Sequence, residues 1–296
     1  MSARRITGHF KCDPEVKYYG YSFYQNRPLT SGVIRGGIVE LLPFAVYIRD
    51  ILAGLLNTPK FFYDDLKKSV MSSAPCAEVR TYFSHAERMF PEMENGKVPT
   101  EQFLRACQGI ADFVGFLGTA FIPVKNDISG NVSKVRSKFE SDREKLKYIE
   151  DLIDDDLAHN GGKLGYATEG LLWLKRGLEF MLELLTEMVR EYRSSADKSS
   201  SESLVAVINK AYVATLKRHH GFVSKQLFKV VIVAAPYRRT ILKALAEGNE
   251  GIDDICIDHI AAHLDNFRTN VAHLVDYYIE KKLDTPNPMP TCLTQL

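Results

Sequence analysis

The feature that most restricts what this chain can become is a run of apolar residues between Thr168 and Tyr192. Leu171, Leu174, Leu178, Met181, Leu185 and Met188 recur at alternating steps of three and four, the period of one buried helical face. Trp173, Gly177, Phe180 and Leu184 form a second stripe beside it, so only a narrow side is left for water and the helix should lie centrally. A further seam of Ile257, Ile260, Leu264, Phe267, Val271, Leu274 and Tyr278 predicts another long helix near the C-terminus. From Pro99 onward apolar residues keep helical spacing, and no strand–helix alternation supports a parallel sheet. The pattern predicts an all-α domain of about six to eight helices.

Local signals divide these helices. Ser141-x-x-Glu144 and Ser199-x-x-Glu202 read as capping boxes, each opening a helix. Asn160-Gly161-Gly162 stops one helix, Ser194 to Ser201 separates two others, and Ala235-Pro236 kinks or ends another. Asp154-Asp155-Asp156 lacks the alternating ligands and glycine of a calcium loop and reads as a solvated helix face. Residues 1–80 differ from the rest: an aromatic, irregular start, the apolar stretch Val33 to Leu56, then a turn at Asn57-Thr58-Pro59. Arg35, Glu40, Arg49 and Asp50 interrupt that stretch and argue against a membrane span. No apolar region follows Arg4-Arg5, as a secretory signal would require.

Whole function classes fall away on composition. The 296 residues are 45% hydrophobic, enough for a real core, and a net charge of +1 gives no reason to expect nucleic acid. Five widely spaced cysteines without a Cys-x-x-Cys pair point to a reducing, cytoplasmic setting rather than to disulfides or zinc. Gly162-Lys163 lacks the spacing of a phosphate-binding loop, and neither His-Glu-x-x-His nor Gly-x-Ser-x-Gly occurs. No nucleophile announces itself and no metal or cofactor is expected, while an enzyme stays open on these residues alone.

Asp127, Asn131 and Lys134 stand at steps of four and three after Pro123, a residue suited to a helix's first turn. They share one stripe about 10 Å long and offer acceptors and donors in a row, which suits a polyhydroxylated ligand. Taken alone, the triplet reads more readily as a surface stripe with local hydrogen bonding. The single tryptophan, Trp173, offers an indole face to a sugar but also fits a core position, and His219-His220 fits a satisfied surface pair.

Together the segments Phe121-Ile122-Pro123-Val124-Lys125-Asn126-Asp127-Ile128-Ser129-Gly130-Asn131, Trp173-Leu174-Lys175-Arg176-Gly177-Leu178, Lys210-Ala211-Tyr212 with His220-Gly221, and Ala234-Ala235-Pro236-Tyr237 resemble the glycolipid transfer protein family in order and spacing. The resemblance implies an all-α, two-layer helical sandwich of about eight helices over residues 83–284, preceded by an N-terminal extension over 1–80 and followed by a tail over 285–296. It implies a carrier that binds one glycosphingolipid and moves it between membranes without chemical change. Asp127, Asn131 and Lys134 would bond the sugar, Trp173 would stack on it, and His220 with Asp127 would satisfy the ceramide amide. Phe113, Phe121, Val124, Leu216 and Phe228 match the family's apolar chain pocket, though helical core explains them equally well. Phe222 stands where well-known members touch the membrane with a tryptophan.

In the branch that carries ceramide-1-phosphate, cations take the positions of Trp173 and Gly177. Their absence implies a neutral headgroup: glucosyl-, galactosyl- or lactosylceramide. Departures from the family pattern are Glu169 at an expected pocket position, where it could reach the sugar, restrict the acyl chain or point away, and a tail without tyrosine. Phe61-Phe62-Tyr63-Asp64-Asp65 loosely resembles the two-phenylalanine acidic motif that binds an endoplasmic reticulum receptor, departing from it at Lys60 and in lacking an upstream acidic tract. Three alternatives stay open: a non-transferring lipid sensor or interaction protein, a ceramide-1-phosphate carrier, and a sphingolipid hydrolase using Asp127 and His220.

Overall fold

The computed structural model describes residues 79–294. Phe61–Asp65 and the Val33–Leu56 stretch lie outside the described residues. After two short 3-10 turns, Tyr82–Ser84 and Ala86–Arg88, eight helices follow: α1 (Thr100–Gly115), α2 (Ile122–Ser141), α3 (Ile149–His159), α4 (Tyr166–Ser194), α5 (Val205–Ala214), α6 (Phe222–Val233), α7 (Arg238–Leu245) and α8 (Asp253–Glu280). Among the described residues there are isolated bridges but no strands. The helices form a two-layer sandwich, and no described helix is long and apolar enough to cross a membrane.

The 29-residue α4 is the central element, packing on α2, α3, α5 and α8. Both of its predicted stripes face protein: the six residues of the first are buried, as are Phe180 and Leu184, with Trp173 and Gly177 half-buried. All seven residues of the C-terminal seam are buried in α8. The narrow polar side of α4 is covered as well, against expectation. Lys175, Glu179, Glu183 and Glu187 are buried at steps of four. Beyond α8, Asp284 accepts from Lys175 Nζ at 3.1 Å and the Cys292 amide donates to Glu183 Oε2 at 2.7 Å. Lys210 Nζ meets Glu187 at 2.8 Å, and Lys175 also bonds Glu179 at 2.7 Å. The chain following α8 thus closes over α4, and each buried charge has a partner, as burial requires.

Three local expectations change. Ser141 ends α2 rather than opening a helix, its hydroxyl donating back to the Lys138 carbonyl. At the second proposed box, Asp197 caps a 3-10 turn by accepting from the Ser199 amide, while Glu202 is drawn away to Arg238. The acidic run is not a solvated face. Asp155 holds Lys138 and Lys145, and buried Asp156 accepts from both the amide (2.9 Å) and the hydroxyl (2.7 Å) of Thr168, capping α4 from a neighbouring helix. A Cβ at Gly165 would lie 2.5 Å from the Asp156 carboxylate, so a larger residue there would have to displace this cap. The stop at Asn160-Gly161-Gly162 holds, with both glycines at positive φ (61° and 78°), as does the break after Val233 before Pro236.

Candidate functional site

Helices α2 and α4 meet along a register that small residues permit. A Cβ at Gly170 would come within 3.0 Å of Lys134 Cδ, and one at Gly177 would lie 4.0 Å from Ile128. Lower numbers on one helix therefore face higher numbers on the other, and Trp173 falls between these two levels, alongside Asn131. On this register the triplet and Trp173 stand at matching levels of the facing helices.

In this candidate patch, Asn131 is 4% exposed and its Oδ1 accepts from Lys134 Nζ at 3.1 Å. The same ammonium stands 5.6 Å from the Tyr166 ring centre. Arg176, three residues past Trp173, lays its guanidinium 4.9 Å from the indole centre and bonds Asp284 at 2.9 and 3.3 Å. Burial alone would raise the Asp284 pKa, but Arg176 and Lys175 hold it well below the usual carboxylate range. One side of the indole is thereby occupied by an anchored cation.

Several polar groups of the patch are left open. Among the described residues, the Asp127 and Glu169 carboxylates, the Trp173 indole N–H and the Tyr166 hydroxyl have no hydrogen-bond or ion-pair partner. Asp127 and Glu169 are solvent-accessible. Surrounding protein nevertheless desolvates Asp127 enough to raise its pKa, with Lys134 pulling the other way. Half-buried His220 shifts in the opposite sense, downward through desolvation and then Lys225; its Nδ1 lies 3.2 Å from the Tyr212 hydroxyl. Both shifts favour the neutral form, an environment that suits an uncharged hydrogen-bonding ligand. No hydrogen bond or ion pair joins His220 to Asp127. His219 is held near pKa 4 by burial, then by Arg176 and Arg218, which places this turn close to the Arg176 level of α4.

The predicted pocket residues belong to one apolar cluster. Phe113 and Phe121 are buried in it; Val124, Leu216 and Phe228 are partly buried and pack against the core. Phe228 stacks on Tyr212 at 3.6 Å and meets Phe180 edge-on at 6.1 Å. On the outer side of α6, Phe222 (76% exposed), Val223, Val230 and Val233 (77% exposed) lie within about 100° of the helix circumference. A separate groove of about 600 Å³ between the C-terminal part of α4 and α8, lined by Val189, Arg190, Arg193, Leu264 and Arg268 among others, shares no residue with the patch. Sequence reasoning missed Tyr166, Arg176, Tyr212 and Asp284. Tyr166 and Arg176 were legible, being seven residues before and three after Trp173; Asp284 has no local signal.

The family model for glycolipid transfer protein matches residues 98–247, half of the chain, and that span contains the triplet, Trp173 and His220. The chain belongs to the glycolipid transfer protein family. The zebrafish (Danio rerio) glycolipid transfer protein is 32% identical over 203 residues, covering 67% of this chain and 95% of the relative. Pleckstrin homology domain-containing family A member 8 of the rat (Rattus norvegicus) is 33% identical over 172 residues, 56% of this chain and 31% of that protein. A solved structure of the family, described as showing how FAPP2 selects simple glycosphingolipids, superposes with a TM-score of 0.62 at 28% identity, covering 69% of this chain and 98% of that one. The human ceramide-1-phosphate transfer protein, at 18% identity and a TM-score of 0.55 over 69% of this chain and 96% of its own, shares the glycolipid transfer protein fold.

Proposed function

We propose that this protein binds one neutral glycosphingolipid and carries it between membranes without changing it. The observation that carries this reading is the patch itself: the Asp127 and Glu169 carboxylates have no partner, Asp127 and His220 are shifted toward neutrality, and the indole has one side taken by Arg176. A hexose brings hydroxyls for Asp127, Asn131 and Lys134 and a C–H face for the open side of Trp173. The ceramide amide needs both a donor and an acceptor once buried, and His220 and Asp127 supply them. The acyl and sphingoid chains enter the cluster of Phe113, Phe121, Val124, Leu216 and Phe228.

A phosphate headgroup fits less well. Lys175 and Arg176 are both committed to Asp284, and Gly177 offers no charge. Shielding the chains from water lowers the barrier to desorption, at about 0.8 kcal/mol per buried CH₂. The exposed apolar side of α6, led by Phe222, provides the transient contact with the bilayer from the cytoplasmic side. The test is transfer of fluorescent galactosylceramide and ceramide-1-phosphate between vesicles by wild type and Trp173→Ala. Galactosylceramide transfer that the substitution abolishes, with the phosphate lipid ignored, is expected. Transfer of the phosphate lipid alone, or an unimpaired Trp173→Ala variant, contradicts the assignment.

A further inference from the structure

The first turn of α4 carries two groups that neither the fold nor the first-sugar site uses. Tyr166, its opening residue, is 68% exposed, and no protein group bonds its hydroxyl. Glu169 is exposed, and its carboxylate has no partner among the described residues. Seven residues are nearly two full helical turns, so Tyr166 lies on the same side of α4 as Trp173, about 10 Å further along. Glu169 lies between them, one turn from each.

Lys134 joins the two levels. Its ammonium donates to Asn131 in the first-sugar group and stands 5.6 Å from the Tyr166 ring, within cation–π range. Gly170 keeps that path open, because a Cβ there would press on Lys134 at 3.0 and 3.1 Å from its Cδ and Cβ. The result is a strip along α2 and α4 in which a stacking ring, an ammonium and a free carboxylate continue the Trp173 platform outward.

We propose that Tyr166 and Glu169, with Lys134, form a second-sugar subsite, so that the preferred cargo is a ceramide bearing an uncharged disaccharide rather than a single hexose. This rests on the carrier reading above. Tyr166 supplies a ring for the C–H face of the outer sugar, and Glu169 accepts from its hydroxyls. The Glu169 carboxylate also opposes an anionic substituent on that sugar. Tyr166 is largely free of packing, so its replacement tests recognition rather than folding.

The experiment compares vesicle-to-vesicle transfer of lactosylceramide and glucosylceramide by the full chain and by Tyr166→Ala, Tyr166→Phe and Glu169→Ala. Wild type should favour lactosylceramide. In Tyr166→Ala the ratio of lactosyl to glucosyl transfer should fall roughly two- to tenfold, the range expected for one aromatic contact, and Tyr166→Phe should retain most of it. A ratio unchanged by both Tyr166→Ala and Glu169→Ala, with glucosylceramide still carried in a Trp173-dependent way, overturns the subsite and leaves the carrier standing. A wild type that carries neither lipid overturns both.

Discussion

Two aromatic regions of this molecule are finished in opposite ways. Around the middle of α8, Phe83, Phe90, Phe267 and His263 close on one another: Phe90 stacks on Phe267 at 4.3 Å, and the His263 ring lies 4.7 Å from Phe83. All four are buried. Along α2 and the first half of α4, Tyr166 is exposed and Trp173 half-buried, each is met by a cation, and the Asp127 and Glu169 carboxylates beside them lack partners. Apolar contact is completed internally at the first region and left incomplete at the second. The first region therefore carries stability, and the second is where the proposed ligand contacts lie.

Substitutions that break one region should leave the other's property intact. The largest loss of stability is expected from Phe267→Ala, about 3–5 kcal/mol through lost burial and a residual cavity. Denaturant unfolding should show it, while the fraction that stays folded keeps its lipid preference. Next comes acid. Burial holds the His263 pKa at about 4, below the 6.5 of an unfolded chain, so the unfolded state binds the proton more readily. Stability should then fall as pH drops from about 6.5 toward 4, by as much as about 3 kcal/mol from this group, with His219 adding in the same direction. Thermal melts of His263→Leu across that range should show a shallower slope than wild type.

The smallest stability effect is expected where the functional effect is greatest. Asp127 has a raised pKa in the folded state, so its ionised form at neutral pH opposes folding, and no hydrogen bond would be lost with it. Asp127→Val should melt at or above the wild-type temperature while losing glycolipid uptake, as read by calorimetry beside a transfer assay. A lowered melting temperature in this variant would mean that Asp127 serves the fold.

The same contrast explains what the sequence revealed. The helical seams of α4 and α8 were legible because burial of a whole face imposes a period, and the family motifs at Asp127, Trp173 and His220 were legible because they lie within short segments. The covering of Lys175, Glu179, Glu183 and Glu187 was not, because their partners Asp284, Cys292 and Lys210 lie far away in the chain and polar residues at helical spacing look solvated. Capping patterns failed for a related reason: Asp156 caps α4 from another helix, and Ser141 turns back on its own. Asp284, which anchors the Arg176 cation against the indole, was invisible on the same grounds.

Because Trp173 is the only tryptophan, its emission reports the central claim without a label. The most direct measurement is titration of the full-length protein with galactosylceramide, and in parallel with ceramide-1-phosphate, following that emission. A saturable change in intensity and wavelength with the glycolipid, and none with the phosphate lipid, is the predicted result. No change with galactosylceramide, or an equal change with both lipids, would contradict a sugar seated on the open side of Trp173.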